Sequence, residues 1–278
     1  MSAVPNVLLN NGVEIPQLGF GVFQIKPADT VEAVTKALEI GYRHIDTAQM
    51  YGNEKEVGQA IAQSGLDRSE IFVTSKLNNN QHGYDDALTA FDKTLSDLGL
   101  EKVDLFLIHW PLATVRNFVD TWKAFETIYS EGRSRSIGVS NFQPHHLRSL
   151  HEQTTVPPAV NQIEVHPYLT QEPLRAFDDE HGIKTEAWSP IAQGKVLDDP
   201  TITAIAKEYD KTPAQVVLRW HVQHGSIIFP KSVTPERMKE NFEIFDFELA
   251  PADMGSISAL NKDERTGPDP DVFDYVPA

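Results

Sequence analysis

The chain has 278 residues, and 24 Lys+Arg against 40 Asp+Glu leave a formal net charge of −16. A surface this acidic repels a phosphate backbone, so nucleic acid is not an expected partner. Zero cysteine excludes disulfides, thiolate metal ligands and a Cys nucleophile. No apolar run approaches the roughly 18–20 residues that span a bilayer, and Met1-Ser2-Ala3-Val4-Pro5-Asn6 lacks the basic segment and apolar run of a secretory signal. A cytoplasmic, monomeric protein is the expectation. Length alone allows two domains at ~150 residues each, although α/β barrels of ~250 residues form one.

The opening reads as a β-hairpin. Val7-Leu8-Leu9 and Val13-Glu14-Ile15 flank Asn10-Asn11-Gly12, where Asn-Gly offers the positive φ of a tight turn. Short apolar runs rich in β-formers then recur at 42–46, 71–77, 103–110, 136–141, 159–166, 184–190 and 226–233, with a weaker eighth at 244–249. Amphipathic helical stretches separate them. Residues 30–40 align Val31, Val34 and Leu38; residues 84–98 align Leu88, Phe91, Leu95 and Leu98; residues 212–224 align Val216, Val217 and Trp220 behind a Thr212-Pro213 helix start.

Eight strand-then-helix units describe an α/β chain folded as one (β/α)8 TIM barrel over residues 1–278, with an N-terminal hairpin and a short C-terminal loop tail. A doubly wound sheet shares the alternation. It usually carries a Gly-rich turn after its first strand, and the nearest match, Gly19-Phe20-Gly21-Val22-Phe23-Gln24, has Gln at the third glycine position.

In a barrel, the C-terminal ends of the strands line the mouth. The first three runs end in Asp46, Lys76 and His109, and Tyr51 follows Asp46 within loop reach. Singly, each reads as a solvated strand end; together they form a chemically coherent group. An ammonium beside a phenol lowers its pKa, an Asp keeps the ammonium charged, and a neutral His orients a carbonyl oxygen. Such a group protonates a developing oxyanion but holds no nucleophile or metal, so a cofactor must bring the incoming group, with hydride the obvious candidate.

The segments Gly41-Tyr42-Arg43-His44-Ile45-Asp46-Thr47-Ala48 with Tyr51 and Asn53-Glu54, then Val139-Ser140-Asn141-Phe142, Asn161-Gln162 and Pro230-Lys231-Ser232, resemble the aldo-keto reductases over nearly the whole chain. The likeness looks closest to the bacterial 2,5-diketogluconate-reductase-like branch. It implies NADPH-dependent reduction of aldehydes, α-keto and diketo compounds, with Asp46, Tyr51, Lys76 and His109 as a catalytic tetrad and Tyr51 as general acid. It further implies that Gly21 and Val22 approach the nicotinamide ribose, and that Ser140, Asn141 and Gln162 bind the carboxamide. Trp188 would stack on the nicotinamide. Ser189, Pro190, Ile191, Gln193 and Leu197 would cover the pyrophosphate. Phe229, Lys231, Ser232, Val233, Arg237, Glu240 and Asn241 would hold the adenosine end. Phe23, Asn78 and Trp110, with Tyr51 and His109, would contact a small carbonyl substrate, and no metal is expected.

Two positions depart from the family pattern. Asn78-Asn79-Asn80 follows Lys76-Leu77 where relatives often carry Trp, which would widen the pocket, and Thr234 stands where some have an extra Arg. His145, His146, His151, His221 and His224 read as solvated helix faces rather than a zinc site. Residues 263–271 read as an irregular acidic tail, which in relatives closes over the substrate. A cofactor-binding regulatory subunit and a metal-dependent barrel isomerase are the competing functions; the first is disfavoured by the intact tetrad, the second by the lack of a carboxylate or His cluster at the strand ends.

Overall fold

The computed structural model describes residues 4–277; residues 1–3, part of the segment read for a signal, and residue 278 lie outside the described residues. Strands β1 (Asn6–Leu8) and β2 (Glu14–Pro16) form the expected antiparallel hairpin, with Val7 opposite Ile15. Its turn has only one left-handed residue, Gly12 (φ +83°). The Gly12 N–H donates to Leu9 O (3.0 Å) and the Leu9 N–H to Val13 O (2.9 Å). That is a three-residue loop, a type I turn closed by a glycine bulge. Leu9 and Ile15 pack with Phe72, Leu105, Val160 and Ile227, so the hairpin closes the end of the barrel where the strands begin.

Eight parallel strands follow, each beside its neighbour in sequence. They are β3 (Phe20–Gly21), β4 (His44–Asp46), β5 (Phe72–Leu77), β6 (Val103–Ile108), β7 (Ser134–Ser140), β8 (Val160–Glu164), β9 (Lys184–Trp188) and β10 (Ile227–Ile228). A parallel bridge between Leu18 and Ile228 joins the last strand to the first, with Gly19 N–H donating to Ile228 O at 2.8 Å. The sheet thus closes into the expected TIM barrel. Helices α1 (Pro27–Ile40), α2 (Glu54–Gln63), α3 (Tyr84–Leu98), α4 (Phe118–Ser130), α5 (Pro144–Gln153), α6 (Glu172–Glu180), α7 (Pro200–Glu208), α8 (Pro213–Gln223), α9 (Pro235–Phe242) and α10 (Pro251–Ser258) surround it. Helix α8 starts as its sequence indicates: Thr212 and Gln215 form a capping box ahead of Pro213, and Val216, Val217 and Trp220 are buried. Among the described residues no helix is long and apolar enough to cross a membrane.

One strand is placed differently from the sequence reading. Residues 244–249 are irregular, because side chains of α8 take the backbone hydrogen bonds that a strand would use. Gln223 pairs both ways with the Leu249 backbone (2.7 and 3.0 Å), and Arg219 donates to Ile244 O (3.3 Å). Ile244 and Leu249 remain buried, which is what produced the apolar alternation. The true first barrel strand is β3, inside Gly19-Phe20-Gly21. A Cβ on Gly19 would lie 2.8 Å from the Phe229 ring, and one on Gly21 would lie 3.1 Å from Phe229 O. These glycines permit close strand approach at the barrel seam, not a phosphate-binding turn.

Candidate active site

Asp46 is the last residue of β4, Lys76 lies near the end of β5, and His109 directly follows β6. Tyr51 closes a 3-10 turn (Gln49–Tyr51) that ends in left-handed Gly52 (φ +68°). The turn is fixed from both sides. Gln49 donates to Ala90 O and Thr94 Oγ1 of α3, both at 2.8 Å. Buried Asn53 donates to Val22 O and Ile25 O at 3.1 Å, binding the loop after β4 to the loop after β3. All four predicted residues therefore meet at one mouth. Lys76 Nζ, fully buried, donates to Asp46 Oδ1 (2.7 Å), Thr47 O (3.0 Å) and Tyr51 OH (3.3 Å). The His109 ring lies edge-on to Tyr51 at 5.7 Å, and exposed Phe23 packs on the other side at 5.1 Å.

The electrostatics follow from burial. Burial pulls the Lys76 ammonium down, but the Asp46 carboxylate and the Tyr51 oxygen beside it together more than offset this and keep it charged. Burial, with the Lys76 charge adding to it, holds His109 well below its ordinary value, so the ring is neutral, and its Nδ1 has no partner among the described residues. Tyr51 differs from expectation. Burial pushes the phenol above its usual value, and the downward pull of Lys76 only partly opposes this. An enclosed phenolate loses more hydration than one ammonium returns.

A hydrogen-bonded layer supports the group. Gln162 Nε2 donates to Asp46 Oδ2 (3.0 Å) and Glu186 Oε2 (2.8 Å). Asn141, left-handed at φ +64°, donates to His109 O (2.9 Å) and accepts from Trp188 Nε1 (2.8 Å). Ser140 Oγ donates to Gln162 O at 2.8 Å. The ends of β6, β7, β8 and β9 are thereby tied together. Glu186 escaped sequence reading: it sits mid-strand, fully buried, its carboxyl pushed up to about 8 by burial and the nearby Asp46 charge.

The remaining predicted contacts divide. Ser189 and Gln193 are left-handed (φ +48° and +55°), and with Pro190, Ile191 and Leu197 they form the loop after β9. The Pro190 carbonyl is bound to His221 Nε2 (2.9 Å). Lys231, Val233 and Arg237 are exposed, and neither cation has a carboxylate partner among the described residues. Several side chains are committed elsewhere. The Phe229 ring lies in the barrel core against His44 (4.9 Å), and Val22 is committed throughout: its side chain is fully buried, its N–H donates to Asp46 O (3.1 Å) and its carbonyl accepts from Asn53. Ser232 Oγ accepts from Thr234 N (3.0 Å), Glu240 accepts from Thr212 Oγ1 (2.7 Å), and Asn241 is buried.

The expected irregular tail crosses the mouth. Thr266 and Gly267 bind Glu164, Phe273 packs on Trp110 at 4.2 Å, and Asn79 Nδ2 donates to Tyr275 O at 2.9 Å. Asn78 folds onto its own turn, accepting from Asn79 N (2.8 Å). Two histidines read as solvated are buried, His146 and His221. His145, His146 and Asp271 lie within metal-ligand reach of one another. However, the Gln143 N–H donates to His146 Nδ1 (3.1 Å), which places the neutral ring's proton on Nε2, the atom a metal would need.

Comparison with known proteins gives the same reading. The model of the Aldo/keto reductase family matches residues 17–262. An aldo-keto reductase of Mycobacterium sp. (strain KMS) is 54% identical over 272 residues, covering 98% of this chain and 99% of the relative. The glyoxal reductase of Bacillus subtilis is 50% identical over 266 residues, covering 95% and 96%. A variant of Gox0644, solved in complex with NADPH, superposes with a TM-score of 0.95 at 43% identity, covering 99% of this chain and 100% of that one. These matches bear out the family, not a particular branch of it. The chain belongs to the aldo/keto reductase family of oxidoreductases.

Proposed function

We propose that this protein reduces aldehydes and ketones to alcohols with NADPH, and that Tyr51 is the general acid. The observation that carries the reading is the fully buried Lys76, charge-paired with Asp46 at 2.7 Å and donating to Tyr51 OH at 3.3 Å. A phenol held above its usual pKa is protonated at neutral pH, the state that a reduction needs. When negative charge develops on a carbonyl oxygen, Tyr51 gives up its proton and Lys76 stabilises the phenolate left behind. Neutral His109, beside the Tyr51 ring, orients the same oxygen through an N–H. NADPH, when bound, supplies the hydride.

The residues fit that cofactor. Lys231 and Arg237, exposed and unpaired among the described residues in a chain of net charge −16, suit the 2′-phosphate. Thr234 supplies no further cation, so residual NADH use is expected. Gln162 and Asn141 sit at the strand ends beside Asp46 and His109, where a carboxamide would reach them. Phe23, Trp110 and Phe273 give the substrate region an apolar wall. With the glyoxal reductase similarity, this favours small aldehydes and α-dicarbonyls, and the α-keto and diketo substrates of the diketogluconate-reductase branch belong to the same class.

The test is NADPH consumption with glyoxal, methylglyoxal and an aromatic aldehyde. Turnover with at least one is expected, and no consumption above the enzyme-free rate with any of them would overturn the reading.

A further inference from the structure

One tail contact falls on Trp188. Gly267 lies so close to the indole that a Cβ there would sit 2.4 Å from Trp188 Cη2 and 3.2 Å from Cζ3. The Gly267 backbone is not left-handed, so its conformation does not demand glycine. The demand is space. Both sides of the contact are held. Glu164, buried at the end of β8, accepts from Thr266 N (2.6 Å), the Thr266 hydroxyl, Gly267 N (3.2 Å) and His166 Nε2 (3.0 Å). Burial pushes its carboxyl up, but these donors together hold it below its usual value and hence ionised. On the other side, Trp188 Nε1 donates to Asn141 Oδ1, and the Asn141 amide in turn holds the carbonyl of His109.

We propose that Gly267, held by Glu164 and Thr266, is a positioning residue that sets where the Trp188 indole lies and so couples the tail to nicotinamide binding. This rests on the reading of Trp188 as the nicotinamide's stacking partner. The tail then acts on cofactor binding as well as covering the substrate. Neither partner can move without breaking a bond at the other end, so an added methyl at 267 must tilt the indole or lift the tail off Glu164.

The test is a double-mutant cycle on NADPH affinity with Gly267→Ala and Trp188→Ala, alongside the indole N–H resonances of the ligand-free protein. Gly267→Ala should raise the NADPH Kd roughly tenfold, the scale of one aromatic stacking contact. In the Trp188→Ala background, where the ring is gone, the same change should have no effect. Of the four tryptophan indole signals, the one that disappears in Trp188→Ala should be the one that shifts in Gly267→Ala. Thr266→Val should shift the same signal, and Thr266→Ser, which keeps the hydroxyl, should restore it. An unmoved Trp188 signal, or purely additive effects on Kd, would overturn the coupling. A Trp188 signal that moves while Trp188→Ala leaves the NADPH Kd unchanged would uphold the contact, overturn its link to nicotinamide binding, and count against the stacking reading, not against the reductase assignment.

Discussion

Asp46→Asn isolates the physics at the centre of the site. Lys76 is fully buried, and the carboxylate it is ion-paired with is Asp46 at 2.7 Å; its other two acceptors, Thr47 O and Tyr51 OH, are neutral. Removing one member of a buried pair costs about 3–5 kcal/mol, because the remaining charge is left uncompensated. The chain can limit that cost by burying Lys76 neutral. Against an unfolded pKa of ~10.4, neutralisation costs about 4.6 kcal/mol at pH 7 and about 1.9 kcal/mol at pH 9. The stability deficit of Asp46→Asn should therefore be about 3–4 kcal/mol at pH 7 and shrink below about 2 kcal/mol at pH 9. Urea denaturation at the two pH values measures it directly. The double variant Asp46→Asn/Lys76→Met, with no charge left to bury, should recover most of the loss. A deficit under about 1 kcal/mol, or one unchanged between pH 7 and 9, would refute the buried ion pair as the organising interaction.

Lys231→Gly and Arg237→Ala should each raise the NADPH Kd by about tenfold or more, since a charge-assisted hydrogen bond contributes about 1.5–3 kcal/mol. NADH binding should barely change, and equal losses on both cofactors by titration would remove the phosphate assignment. Glu186→Gln tests the second buried carboxyl. Its folded pKa near 8 lies above the ordinary 4.5, so the stability it contributes is complete below about pH 4.5 and is lost as pH rises through 8. Relative to the parent, Glu186→Gln should gain up to about 1.4 kcal/mol per pH unit across that window; a stability difference that stays flat from pH 5.5 to 8 contradicts the burial argument.

Asp46, Lys76 and His109 were legible because each ends an apolar run, and the barrel brings strand ends to one mouth whatever the residues between. Tyr51 was legible by loop length. Its electrostatics were not: sequence shows the ammonium that lowers a phenol's pKa, but not the burial that raises it further. Strand β3 was hidden because a strand of two residues, one of them glycine, carries no periodicity, and the closing of the barrel beside it depends on Ile228, more than two hundred positions away. The alternation at 244–249 was real, yet it recorded packing beneath α8 rather than a strand. Glu186 and Glu164 lay inside apolar runs, where a lone carboxylate gives no hint of its partner. The tail's acidity identified it as irregular chain; only the structure shows Gly267 against Trp188 and Phe273 on Trp110.

The proposed role of Tyr51 as proton donor is tested most directly by the turnover of Tyr51→Phe at saturating NADPH and aldehyde, with the cofactor Kd measured on the same preparation. The phenylalanine ring keeps the packing against Phe23 and His109 and removes only the hydroxyl that Lys76 contacts at 3.3 Å. An unchanged NADPH Kd and a kcat lower by roughly 10²–10⁴-fold are expected; turnover within a few-fold of the parent would contradict the proton-donor role.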